Sequence, residues 1–218
     1  MSSRPAAGGG RWIEVDPERL SRWFDGFVER HGAIAVDAGP DELRVRAFDG
    51  SVAECRPPPG AAMARDLADL VALARTDRRI GLLLARRGGV AIGVAAGTVL
   101  ESSKVDTRYV QGRTAAGGWS QHRFARRREN QARAAAGDAA DIVARLLVPA
   151  APGLAALVTG GDRRTVDAIL ADPRLASVAA LRDERFLAVA EPRLATLEAA
   201  VRQARTVLIR LTEPDLPA

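Results

Sequence analysis

The chain has 218 residues, a formal net charge of +5 and 47% hydrophobic residues, enough for a sizeable core. Aromatics are 4%, so that core is built from Ala, Val and Leu. A single cysteine, Cys55, excludes an internal disulfide and a multi-cysteine metal site, and agrees with a reducing cytoplasm. The opening "MSSRPAAGGG" lacks an apolar stretch and is expected to be a loose tail over 1–10. The longest uncharged apolar run, "GGVAIGVAAGTVL", is 13 residues, shorter than the ~20 that span a bilayer. No membrane partner is expected.

In chain order, "RWIEV" reads as a short strand. Asp16-Pro17 then opens a helix, Asp as N-cap and Pro at the first position. Leu20, Trp23, Phe24, Phe27 and Val28 recur at helical spacing, and Gly32 ends the helix after His31. "AIAVDAG" and "ELRVRAFDGSVAECR" read as strands, the second a hairpin turning at Asp49-Gly50. "PPPG" at 57–60 is a stop. A helix is expected over 61–76, through Met63, Leu67, Leu70, Val71 and Leu73. Two apolar strands joined at Arg87-Gly88-Gly89 follow, then a more polar third.

From 121 to 147 the pattern is helical, with a stripe of Phe124, Ala132, Ala135, Ala136, Ala139, Ile142, Val143, Leu146 and Leu147. "LAALVTGG" is a buried strand, and "DRRTVDAILAD" a helix capped by Asp162. "RFLAVAE" is a strand, 192–205 a helix and "TVLIRL" the last strand. This order predicts an α/β fold, a mixed sheet flanked by helices. With no repeat and no long linker, one domain is expected over 11–211, with a second tail at 212–218.

The stretch "GRTAAGGWSQHRFARRREN" (112–130) is the anomaly. Residues 104–133 carry Lys104, Arg108, Arg113, Arg123, Arg126, Arg127, Arg128 and Arg133 against Asp106 and Glu129. That window nets +6, and the chain nets +5, so all other residues together net −1. Basicity this local points to a phosphate-rich partner. Glycines let a backbone enter a confined place and present its N–H groups, and a helix N-terminus favours phosphate. Gln121 is neutral and cannot act as an ordinary base, but it can hold a water and donate to an oxyanion. Positioning is worth about 7–11 kcal/mol in favourable cases and one oxyanion donor about 3–4 kcal/mol. Those magnitudes suffice for an activated bond such as an ester. The residues alone leave this reading beside a plainer one, a Gly-rich surface loop with a solvated arginine face.

"YVQGRTAAGGWSQHRFARRRENQA" (109–132) resembles the catalytic loop of the Vms-like release factors, the VLRF-type peptidyl-tRNA hydrolases, and is most similar to their bacterial branch. These are related to the middle domain of the eukaryotic class-I release factor and its Gly-Gly-Gln loop. The strand–strand–strand–loop–helix order of 78–211 agrees with that domain. The resemblance implies a release-factor middle-domain-like, RNase H-like fold with a protruding Gly-Gly-x-Ser-Gln loop. It implies entry of that loop into the peptidyl transferase centre of the large ribosomal subunit, with peptidyl-tRNA as substrate and no cofactor or metal. Carried over by position, Gly117 and Gly118 match the glycine pair, Ser120 the serine before the glutamine, and Gln121 the catalytic glutamine. Arg113, Arg123, Arg126, Arg127 and Arg128 are expected to contact ribosomal RNA or tRNA. Trp119, an insertion relative to the family pattern, is expected to stack on a base.

Two reactions stay open: hydrolysis of the peptide–tRNA ester, and cleavage of the tRNA near its 3′ CCA end by a ribose hydroxyl. Two rivals belong to other classes. One is a ribosome- or RNA-binding module without chemistry. The other is an RNase H-like nuclease holding two metals on clustered carboxylates, for which Asp37, Asp41 and Asp106 are candidates by position.

Overall fold

The computed structural model of the chain describes residues 2–107 and 121–214, and side chains throughout these except at 2, 121–130 and 132. The chain runs through β1 (Ser2–Pro5), β2 (Arg11–Val15), α1 (Leu20–His31), β3 (Ile34–Ala38), β4 (Leu43–Ala47), β5 (Val52–Arg56) and α2 (Leu67–Arg75). It continues with β6 (Arg79–Arg86), β7 (Gly89–Ala96), β8 (Val99–Thr107), α3 (Gln121–Leu146), β9 (Ala156–Gly161) and α4 (Arg163–Leu170). The short α5 (Ala176–Ala179), β10 (Arg182–Leu187), α6 (Leu194–Ala204) and β11 (Val207–Thr212) complete it.

The fold class is the expected mixed α/β, but the strands form two sheets where one was expected. The chain divides into two compact units, Met1–Asp77 with Arg202–Ala218, and Arg78–Val201. Local patterning had no means to make the distinction, because β11 joins the first unit through pairing with strands about 150 and 195 residues earlier in the chain.

The first unit is a six-stranded antiparallel sheet in the order β1-β2-β11-β5-β4-β3. Strict alternation assigns its faces. Leu43, Val45 and Ala47 point inward from β4, while Arg44 and Arg46 stay exposed. The inner face meets Leu20, Trp23, Phe24 and Phe27 of α1 and Leu70 and Ala74 of α2 in one buried cluster. Trp23 stacks on Phe27 at 5.5 Å and meets Phe24 edge-on at 5.0 Å. Gly32 ends α1 at φ 83°, as its sequence position predicts.

Four local expectations shift here. The N-terminal stretch is not a tail: β1 pairs with β2, and Gly8, Gly9 and Gly10 reverse the chain at positive φ. Strand pairing needs backbone groups rather than an apolar core. Asp16 precedes a short 3₁₀ turn at Pro17–Arg19 and makes no side-chain cap bond. The second helix starts at Leu67 rather than 61, where the Asp66 carboxylate accepts from the Asp69 N–H at 2.7 Å. At the other end, Thr212 belongs to β11 and Glu213 is ion-paired with Arg11 at 2.9 Å, so the expected C-terminal tail starts later.

The second unit is a five-stranded mixed sheet in the order β10-β9-β6-β7-β8. β6, β9 and β10 are parallel neighbours, whereas β7 and β8 are antiparallel. Helices cover both faces, which is why β6 is apolar without alternation from Ile80 to Ala85. Leu83, Ala85, Ile92 and Val94 pack beneath α3 and α4. On the other face a Cβ at Gly93 would lie 3.0 Å from Leu197 of α6. The expected strand at 185–191 lies earlier, at 182–187, and the turns between Pro173 and Ala179 have no counterpart in the sequence reading.

Candidate functional site: the loop and its helical arm

The anomalous loop leaves the second unit from β8, the edge strand of its sheet. Thr107 pairs with Gly89, and Arg86 pairs with Gly89 on the other side. The loop therefore departs from the same end of the sheet as the β6–β7 turn. Gly117, Gly118, Trp119, Ser120 and Arg113 lie outside the described residues. So do the side chains of Gln121, Arg123, Arg126, Arg127 and Arg128, although their backbone is helical. Gln121 is the first residue of α3, and the four arginines occupy its first eight positions.

α3 has two regimes. Gln131, Arg133, Ala134 and Ala135, the described side chains of this stretch, are all exposed. From Ala139 onward the helix is anchored, with Ala139, Ala140, Ile142 and Val143 buried, and Leu147 just beyond its end. Ala136 is the first half-buried position. At 1.5 Å per residue, Gln121 stands about 22 Å along the axis from Ala136. The expected stripe is thus right for Ala139, Ile142, Val143 and Leu147, half-buried at Ala136 and Leu146, and wrong at Ala135. Phe124 and Ala132 lie outside the described side chains.

The anchored half of α3 is held by charge as well as by burial. Arg174 lies 2.8 Å from Asp141 of α3 and 2.7 Å from Asp172, with Asp172 also accepting from the Arg174 backbone N–H at 2.9 Å. These bonds from Arg174 hold the Asp172 carboxyl down to about 2 and push the guanidinium further up. The sequence reading missed this clamp. Its one local signal was Asp172-Pro-Arg, an acid placed to cap a short turn.

The remaining candidates separate. His31 ends α1, as expected, and its Nδ1 lies 2.8 Å from Asp49 and 3.1 Å from the Ser51 hydroxyl. Both contacts use one nitrogen, an arrangement that cannot relay a proton from serine to aspartate. Cys55 is buried, and desolvation pushes its thiol well above the usual range. Asp37 and Asp41 lie in the first unit and Asp106 in the second. Asp37 is held by Arg46 at 2.5 Å. Among the described residues no three His, Cys, Asp or Glu side chains gather as a metal site, so the carboxylate cluster of the nuclease rival is not formed there. No helix among them is long and apolar enough to cross a membrane.

Residues 78–210 match the family model described as the Actinobacteria/chloroflexi VLRF1 release factor. No curated protein matches the chain. Among solved structures, an archaeal protein matches at 17% identity and a TM-score of 0.39, covering 73% of this chain and 51% of its own. Pelota of Archaeoglobus fulgidus matches at 11% identity and a TM-score of 0.33, covering 93% of this chain and 65% of its own. The chain thus spans about half to two thirds of the proteins it matches. The family match takes in the whole sheet of the second unit, the loop and α3, which is well over half of the chain: it belongs to the VLRF1 release factors of Actinobacteria and Chloroflexi.

Proposed function

We propose that this protein frees nascent chains from tRNA on the large ribosomal subunit, acting as a peptidyl-tRNA hydrolase. The observation that carries this reading is the family match over 78–210, which encloses the Gly-Gly-Trp-Ser-Gln loop at the head of α3.

Gln121 would orient the attacking water and donate to the oxyanion that forms on the ester carbonyl. Both contributions need no ionisable group, only fixed geometry. Gly117 and Gly118 allow the backbone to approach the ester, and Ser120 occupies the position before the helix, where a hydroxyl suits an N-cap. The N-terminal end of α3 adds partial positive charge, which favours the phosphates of the tRNA 3′ end. Arg113, Arg123, Arg126, Arg127 and Arg128 bind the RNA backbone, and Trp119 stacks on a base, worth about 1–3 kcal/mol. The exposure of Gln131, Arg133, Ala134 and Ala135 supports an arm that enters an enclosed RNA site.

The test uses large subunits carrying a nascent chain on tRNA, treated with the wild type or Gln121→Ala, with peptide and tRNA 3′ end resolved together. Release by the wild type alone, leaving an intact CCA end, is expected. A tRNA shortened at its 3′ end would replace hydrolysis by tRNA cleavage. Equal absence of release would leave a binding module.

A further inference from the structure

The second unit carries a cluster of cations that the loop chemistry does not use. β6 and β9 are parallel, so the turns that follow them lie at one end of the sheet. Arg86 ends β6 and Arg87 follows it in the first turn, while Arg163 and Arg164 open α4 directly after the second. The two turns touch: the Asp162 N–H donates to the Ala85 carbonyl at 2.8 Å. A Cβ at Gly161 would collide with that same carbonyl, and Gly161 adopts φ 100°. This close approach brings the four arginines to one edge. It is the edge from which the loop departs, through the Arg86, Gly89 and Thr107 register.

All four arginines are exposed, and among the described residues none forms a salt bridge. Arg86 instead donates to the carbonyls of Val189 and Ala190 at 3.0 and 2.8 Å, and Arg163 lies 4.2 Å above the Phe186 ring. Arg86 and Arg163 are thereby held in place. Among the nearby acids, Asp183 and Glu184 line a pocket with Arg163, and Asp162 has its carboxylate engaged by the Thr165 hydroxyl at 2.7 Å and N–H at 2.8 Å. Those two bonds, and the charges of Arg87 and Arg164 after them, hold that carboxyl below its usual range.

We infer that Arg86, Arg87, Arg163 and Arg164 form a second RNA contact at the foot of the arm, seated on the phosphate backbone of ribosomal RNA. The inference rests on the release-factor reading above. Four exposed cations on one edge, without a salt bridge among the described residues, match a polyphosphate backbone in charge. The source follows from the length of the arm. If the loop reaches the tRNA 3′ end, the foot of α3 stands about 22 Å behind it. The foot then lies outside the enclosed centre, against the ribosomal RNA around its entrance.

The experiment compares wild type with R87Q/R164Q, two exposed residues with no structural bond of their own. Binding is measured across a salt series on large subunits without a nascent chain, and separately on deacylated tRNA. The slope of log K against log salt on large subunits is expected to fall by about 2, one per lost phosphate contact. Binding to free tRNA is expected to be unchanged. In the release assay KM should rise and kcat stay constant. The single variants R87Q and R164Q, each expected to lower the slope by about 1, guard against a folding defect in the pair. An unchanged slope on large subunits would overturn the inference. So would a fall confined to free tRNA, which would make the tRNA the ligand of this edge. Should Gln121→Ala release chains as fast as wild type, the catalytic reading fails while the salt slope still decides the contact.

Discussion

Arg174 reaches Asp141 of α3 at 2.8 Å while it holds Asp172, two residues earlier in its own chain, at 2.7 Å. One guanidinium thus ties the anchored half of the long helix to the turn that follows α4. Gln131, Arg133, Ala134 and Ala135, just before Ala136, have no cover of their own and depend on that anchored half. The Arg174→Ala variant is expected to keep its fold and to lose rigidity in α3. Amide exchange in the helix should quicken with only a small fall in Tm, since the pair is exposed and such pairs contribute little to global stability. Unaltered exchange throughout α3 would show that burial alone fixes the arm.

The same cluster gives an acid dependence. The Asp172 carboxyl is lowered from 3.8 to about 2, by the Arg174 side-chain and backbone bonds first. A lowered folded-state value contributes stability that is present above the unfolded value and lost as pH falls through the folded one. The window is therefore between pH 3.8 and about 2. Asp172→Asn should remove this dependence, so that its stability relative to wild type improves as the pH is lowered through that window. Parallel pH–stability curves for the two proteins would refute the assignment.

Gly137 is a glycine that packing does not require. It is exposed in mid-helix, and a Cβ there would meet nothing within 4 Å. Glycine in a helix interior is about 1 kcal/mol less favourable than alanine. Gly137→Ala should stabilise the helix by up to about that amount, read as a higher urea midpoint at constant m-value. It stands one residue past the first supported position, so the gain should also appear as slower exchange in the arm.

Gly161 is the opposite case. It combines φ 100° with a Cβ position that collides with the Ala85 carbonyl. Gly161→Ala is expected to destabilise the protein by about 1–3 kcal/mol, the range for a residue forced into a sparsely populated backbone region. A stability within error of wild type would mean the two turns can separate without penalty.

Thr159 is fully buried, and its hydroxyl has no hydrogen-bond partner among the described residues. A buried unsatisfied hydroxyl costs about 1–3 kcal/mol, and valine has nearly the same shape. Thr159→Val should raise the unfolding free energy by roughly 1 kcal/mol. A loss of stability instead would reveal a bound water or ligand on the hydroxyl.

The sequence alone determined the local grammar of this protein. The alternation Leu43, Val45, Ala47 told which face of β4 is inside, and Asp162 and Gly32 marked one helix start and one helix end. Gly117, Gly118, Gln121 and the arginines after them marked a segment whose composition folding alone does not call for. These signals are legible because they rest on periodicity, caps and composition, all within a few residues of one another.

Only the tertiary structure decided the pairings. "TVLIRL" reads as a strand, but nothing in it says that Ile209 will sit between Ile13 and Cys55 rather than beside β9. The apolar pattern of α3 does not say that Ala135 is exposed and Ala139 buried, because small residues continue on both sides of that point. The arginines of the two adjacent turns are about 75 residues apart and carry no shared motif. Their proximity comes from the parallel pairing of β6 with β9, a non-local choice made by burial on both sheet faces.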